Sequence, residues 1–470
     1  MAQQNNITTI TTYRTTLRLV GQGIEEIPDK VIITILLIIA LFTRTYRLGE
    51  FPYFPPQWPY LGDKPWAPGM YRDEAVYLNL ALNLFNKPTT YQPWLQLLLV
   101  HLSTQIFGAT IFAARLPSAI FSSLNAPLIY LIAKKFFNSK VAAVISAFYY
   151  IVMTPALIYN RMLFLENGVS FFFMLTILLL TIYEKKKMKK WFYATVIASG
   201  LAISCKINGL IVPIYMIVYI LQNIKKEHVV KYALIGFIPV VLIFATIITL
   251  RTAYIGDFLG ALTIFQSWWI GMIGREMSLW QYLVFESMPS GALIYLFPGY
   301  LKLEYWYILS LYCAAYLAIK DFDRVKNILL AMLIFISVTF MIWGIGSYYL
   351  TIIQPIMAIP IGYAFIKMID MKPFDNLVFT CSVYTPLIAT IIPYLPSIVT
   401  RLPEIDYIRY IYKLALAGVP LTFSVAGTLS LIHLQKIINI VIIMLTLTSL
   451  FMGSYIINAL YPHYFSLIPP

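Results

Sequence analysis

"YQPWLQLLLVHLSTQIFG", residues 91–108, is apolar enough to suggest a membrane crossing, yet Gln92, His101, Ser103, Thr104 and Gln105 are spread along it. Whether it crosses or lies flat decides on which side of a membrane everything after it falls. The chain around it is a membrane chain. Of 470 residues 60% are hydrophobic and 11% charged, with a mean hydropathy of +0.77, well outside the range of a soluble domain. Apolar runs near 31–46, 113–133, 141–158, 166–183, 191–205, 208–223, 232–250, 303–319, 327–344, 350–366, 376–398, 411–433 and 437–458 make about thirteen candidate spans of close to ~20 residues each. Basic clusters separate several of them: "KKFFNSK" (134–140), "EKKKMKK" (184–190), "KKEHVVK" (225–231) and "KDFDRVK" (320–326). Short loops of this kind stay on the inner side. With the amino terminus inside, the first span exits near residue 47 and the chain must be inside again at 134–140. Only one crossing fits between. The run from Ala113 makes it, and 91–108 is an interfacial helix on the outer surface.

The parity argument sets the layout of an all-α polytopic membrane protein. Residues 1–29 are a polar cytoplasmic tail without the apolar core or cleavage site of a signal peptide. A transmembrane region covers 30–366. It includes a large external loop, 47–112, with surface helices near 72–86 and 92–107. A second external element, 251–302, has Glu286, Ser287, Pro289, Ser290 and Gly291 in its stretch 279–298, as suits a surface or re-entrant segment. Residues 367–470 supply further transmembrane helices and no soluble domain. Cys205, Cys313 and Cys381 sit in apolar runs without paired spacing, as packing residues do. The net charge of +14 resides in loops suited to an anionic inner leaflet, which argues for membrane lipids as partners and against nucleic acid. The four histidines are scattered and form no metal-binding pattern. No Gly-rich phosphate loop is present.

Charges are scarce enough that their placement is informative. "MYRDEAVYLNLALNLF", residues 70–85, puts Arg72, Asp73 and Glu74 together at the start of an external surface helix. The same topology puts Arg161, Glu166 and Lys206 at external ends of spans, with Tyr348 and Tyr349 at another. An ionisable group at the bilayer centre costs on the order of 2.5–3.5 kcal/mol, so several on one face argue for a polar cavity, as against each snorkelling separately to the interface.

These residues resemble the motifs of the GT-C superfamily of membrane glycosyltransferases, in the branch of protein O-mannosyltransferases and aminoarabinose (lipid A) transferases. "YRDEAVYLNLALNLF" is similar to the acidic motif of their first external loop. "QPWLQLLLVHLSTQIFG" is similar to their Pro-containing surface helix and "ARLPSAIFSSLNAPLIYLIAKKFF" to an Arg-Leu-Pro-Ser span. "RMLFLENG", "GLAISCKINGL" and "YYLTIIQP" follow in the family's order, so that the resemblance covers roughly 31–366. Two positions depart from it. Gln92 stands where Lys or His is common, and Tyr348 where Arg is common, each removing a positive group.

The resemblance implies the GT-C fold and transfer of a sugar from a polyprenyl- or dolichyl-phosphate donor to a protein, lipid or glycan acceptor at the external face, with inversion. It implies Asp73 as the general base, a role favoured by its place near a helix start, where the dipole stabilises the ionised carboxylate. Neighbours on a helix face different ways, so Glu74 is read as a positioning or substrate-holding group. Glu166 is either a second catalytic carboxylate, as a retaining mechanism needs, or a holder of Lys206, Arg161 or the acceptor. Lys206 and Arg161 are candidates for the phosphate, with Arg72 and Arg275 further options. Tyr349 is a donor to the phosphate or a member of an interfacial belt, and Gln92 a further substrate contact. No cofactor is assigned, and a divalent cation shared by Asp73 and Glu166 stays an open alternative. The competing functions are a lipid-linked oligosaccharide ligase or polymerase and, outside enzymes, a lipid-sugar flippase or transporter. A multi-pass protein of the plasma membrane with an external active site is the expected setting.

Overall fold

The computed structural model describes residues 23–50, 70, 72–85, 92–223, 310, 311, 313–338 and 347–369, with a few positions within 245–260. The expected loop 225–231, nearly all of the external element 251–302, Arg275, Cys381 and the helices of 367–470 lie outside these residues.

Every regular element among the described residues is helical, as apolar segments in a bilayer must be to satisfy their own backbone groups. Helix α1 is Asp29–Thr45, α2 Arg72–Leu82, α3 Leu95–Phe107 and α4 Ile111–Phe137; α5 is Lys140–Val152, α6 Thr154–Tyr159, α7 Glu166–Lys186 and α8 Lys189–Cys205. A 3₁₀ turn, Ile207–Leu210, leads into α9, Ile211–Asn223. Helix α10 is Phe322–Val338, and a second 3₁₀ turn, Ser347–Ile352, precedes α11, Gln354–Ile369. Among them, α4 and α7 are each long and apolar enough to cross a membrane unaided.

Two sequence boundaries move for local reasons. The expected run 141–158 is divided into α5 and α6 at Met153, whose extended backbone precedes Thr154 and Pro155. In "SCKINGL" the helix stops at Cys205 because Lys206 is extended. The stretch 91–108 forms α3 only from Leu95, with Gln92, Pro93 and Trp94 ahead of it buried. Helix α3 packs on α2 and α4, and its C-terminal half leaves Leu102, Gln105, Ile106 and Phe107 exposed.

The bundle core forms where α4 meets α1, α5 and α7, with α8 against α7 and α11 against α5. Small residues permit close approach. A Cβ on Gly362 of α11 would lie 1.9 Å from the Ala142 carbonyl oxygen of α5, while Ser146 donates to Ile359 O at 2.7 Å. Pro117 lies inside α4 and lacks the N–H that would bond the carbonyl four residues back. That carbonyl, on Ala113, instead accepts from the Ser103 hydroxyl of α3 at 2.7 Å. Helix α3 is thereby stitched to α4 at the point where the latter's own ladder is broken.

Candidate active site

Helix α2 separates its two acids by turning them to different faces. Glu74 points inward and is fully buried. Its two oxygens accept from Arg115 Nε and Nη2 at 2.8 Å each, and Oε1 also accepts from the Leu163 backbone N–H at 2.8 Å. Arg115, equally buried, adds a bond from Nη1 to Leu48 O at 3.3 Å. A forked guanidinium on a carboxylate is a strong and directional pair. It fixes α2, the first turns of α4, the end of the α1 segment and the 160–165 loop relative to one another.

Asp73 is turned elsewhere and is half-buried. One turn further along the same face, the Tyr77 hydroxyl accepts from Lys206 Nζ at 3.1 Å. Lys206 forms an ion pair with Glu166, both buried. The Glu166 Oε2 atom is buried with no hydrogen-bond partner among the described residues. Burial pushes the Tyr77 phenol far above its ordinary range; the Lys206 charge pulls it down, and those of Glu166 and Asp73 add to the rise. The phenol is a neutral hydrogen-bonding group at any physiological pH. Asp73 also lies close enough to Glu166 for its charge to act there. Asp73, Tyr77, Glu166 and Lys206 thus form one cluster, drawn from α2, α7 and the break after α8.

The turn before α7 is held from outside that helix. Its N-cap residue, Leu165, supplies no side-chain cap. Gln96 of α3 fills the role, accepting from Gly168 N at 3.1 Å while donating to Ser118 Oγ at 2.9 Å and Phe164 O at 3.0 Å. A Cβ at 168 would lie 2.6 Å from Gln96 Oε1 and 2.7 Å from Cys205 Sγ, so any larger residue there would displace the Gln96 cap or the Cys205 thiol. Arg161 donates to Thr43 O and Tyr46 O at the end of α1. Burial pulls its guanidinium down to about 10, and the charges of Arg44 and Arg115 act in the same direction. Arg44 is fully buried and donates to Ile151 O at 2.9 Å and Tyr150 O at 3.1 Å, at the C-terminal end of α5.

Of the expected site residues, Asp73, Glu166 and Lys206 are thus brought together. Glu74 lies beside them, occupied by Arg115, and Arg161 on the α1 side, occupied by main-chain carbonyls. Gln92 is buried just ahead of α3. Arg72 begins α2, and Tyr349 lies on the 3₁₀ turn that packs against α6 and α7. Among the described residues no three His, Cys, Asp or Glu side chains gather as a metal site would need. Four residues went unassigned in the sequence. Arg115 and Tyr77 are visible only as parts of motifs, and Gln96 and Arg44 as isolated polar residues at apolar runs.

Comparison with known proteins gives a family match over part of the chain and a shared fold. Residues 91–250 match the family model described as dolichyl-phosphate-mannose-protein mannosyltransferase. The fold is shared with ArnT from Cupriavidus metallidurans bound to undecaprenyl phosphate, at a TM-score of 0.58 and 14% identity over 93% of this chain and 77% of that one. Its apo state gives a TM-score of 0.55 and 13% identity over 93% and 76%. Comparison with curated proteins gives no match. The chain resembles GT-C superfamily glycosyltransferases, in the branch its motifs indicated.

Proposed function

We propose that the chain is a GT-C glycosyltransferase that moves a sugar, hexosyl or pentosyl, from a polyprenyl- or dolichyl-phosphate donor to a protein, lipid or glycan acceptor at the external face of the membrane. The observation that carries this reading is the division of labour on α2. Glu74 is consumed by Arg115 and Leu163 N, whereas Asp73 is half-buried, one helical turn from Tyr77 and near enough to Glu166 for its charge to act there. The shared fold with a protein bound to undecaprenyl phosphate and the family match over 91–250 support the substrate class.

In this mechanism Asp73 takes the proton of the acceptor hydroxyl as its oxygen attacks the anomeric carbon. The bond from that carbon to the phosphate oxygen breaks, and the lipid phosphate leaves with the bonding pair. Attack from the face opposite the phosphate inverts the centre. Lys206, held by Glu166 and Tyr77, and Arg161 supply positive charge toward the leaving phosphate. Glu166 serves as a binding group: one oxygen holds Lys206, and the unpartnered Oε2 accepts from a substrate hydroxyl. Arg72, Tyr349 and Gln92 are assigned to the rim of the substrate site.

Purified protein incubated with a panel of dolichyl-phosphate sugars, followed by mass spectrometry of the products, tests the activity. A sugar-bearing product formed by wild type and absent with Asp73→Asn is expected; failure of every donor would sink the reading. Sidedness is tested separately, with single cysteines at Gln105 and Ser139 and an impermeant thiol reagent on oriented vesicles. Labelling of the two from opposite sides is expected, with Gln105 outside.

A further inference from the structure

At the end of the bundle remote from Glu166, two loops bring lysines together in different ways. On one side of this face the charges are neutralised. Lys134 pairs with Asp29, which also accepts from Tyr130 Oη at 2.7 Å. Lys140 donates to the carbonyls of Glu25 and Ile27, and its backbone N–H to Glu25 Oε1 at 2.8 Å.

On the other side they are not. Lys135, in the last turn of α4, is exposed, as are Lys185, Lys186, Lys187, Lys189 and Lys190. None of these six forms an ion pair with an acid among the described residues. Glu184, the acid within 184–190, lies near enough to Tyr219 of α9 for its charge to act there. Lys185 and Lys186 come near enough to Lys135 for their charges to repel its own, although the three derive from two loops. The left-handed backbone at Lys187, φ 52°, ends α7 and turns the chain back. Lys186 Nζ and Lys190 Nζ each lie 5.6 Å from the centroid of the Trp191 ring.

We propose that Lys135, Lys185, Lys186, Lys187, Lys189 and Lys190 form a binding site for the phosphate-bearing headgroups of anionic lipids in the adjoining leaflet. Helix C-termini favour cations, and basic loops stay on the inner side; these rules account for lysines here, but neither gathers them against one another while Asp29 and Glu25 serve Lys134 and Lys140. A phosphate among them relieves the repulsion. Position selects lipid over soluble anion, because Lys135, Lys185 and Lys186 sit at the ends of the long apolar helices α4 and α7, with Lys189 and Lys190 at the start of α8 beside a tryptophan, a residue of membrane interfaces.

The test uses the full chain in nanodiscs of mixed phosphatidylglycerol and phosphatidylcholine, with co-purifying lipid counted by native mass spectrometry. Wild type is expected to enrich phosphatidylglycerol. Each lysine near an anionic surface contributes about fivefold in binding, so Lys135→Gln/Lys185→Gln/Lys186→Gln should lose roughly a hundredfold in affinity. Undiminished enrichment in this variant overturns the proposal. So does displacement of the lipid by low millimolar pyrophosphate, which would mark a soluble-anion site instead. Should the triple variant fail to fold, wild type decides: enrichment must fall steeply over about a tenfold rise in salt, and a flat response overturns the proposal.

Discussion

The two ends of this helix bundle treat charge in opposite ways. At the α2 end Glu74, Arg115, Glu166 and Lys206 are withdrawn from solvent and paired; at the far end the lysines of 185–190 stand in the open. Burying an ion is expensive, and its partner must be placed well to offset the cost. A protein that assembles two such pairs within one region is holding a geometry there. The open lysines hold little and act through their field. Substitutions should therefore have large and distinct effects at the first end and small, additive ones at the second.

The largest effect is expected at Asp73, the acid of α2 that the pairing leaves available. Asp73→Asn keeps the size of the side chain and most of its hydrogen bonds but cannot take a proton. Turnover should fall ~10²- to 10⁴-fold with unfolding temperature unchanged. A rate within a few-fold of wild type would remove Asp73 from the base role and move attention to Glu166.

Next comes Glu74→Gln, which acts on the fold. It leaves the Arg115 guanidinium buried without its counter-charge, at a cost of about 3–5 kcal/mol. A clear drop in unfolding temperature is expected, while the activity of the molecules that stay folded remains within about tenfold of wild type. The opposite pattern, stable but inactive, would mean that Glu74 rather than Asp73 faces the chemistry.

A third, smaller effect concerns Lys206. Lys206→Gln removes the cation, and a charge-assisted contact is worth about 1.5–3 kcal/mol, so the apparent donor affinity should weaken roughly ten- to a hundredfold. Lys206→Arg, which retains the charge, should recover part of it. Unaltered donor kinetics in the Gln variant would restrict Lys206 to the support of Glu166 and Tyr77.

Much of this contrast is legible in the sequence, and the remainder has a physical reason for being hidden. Hydropathy and basic loops give the helices among the described residues, and the polar residues spread along 91–108 set α3 apart from the apolar runs around it, because both signals are local. The pairing of Glu74 with Arg115 is not local. It joins residues 41 positions apart, and nothing in "RDE" says which acid turns inward. Gln96 reads as a polar interruption of "WLQLLL" until the N-terminus of α7 is seen to lack a cap of its own. The exposed Gln105 and the buried Ser103 look alike in sequence. Only the carbonyl freed by Pro117 explains why one of them is inside.

The smallest effect separates the two ends most cleanly. Lys185→Gln/Lys186→Gln removes two positive charges from exposed positions with no acid partner among the described residues, whose flexible stems carry little packing. Substitutions of this kind normally stay within about 0.5 kcal/mol of stability. Relief of the repulsion with Lys135 should push the change toward slight stabilisation, measured in detergent free of anionic lipid. The same pair of substitutions in a membrane rich in phosphatidylglycerol should lose that gain, since the lysines then have phosphates to face. A drop of several kcal/mol in lipid-free detergent would mean that these lysines hold structure as Glu74 and Arg115 do, and the contrast between the two ends would fail.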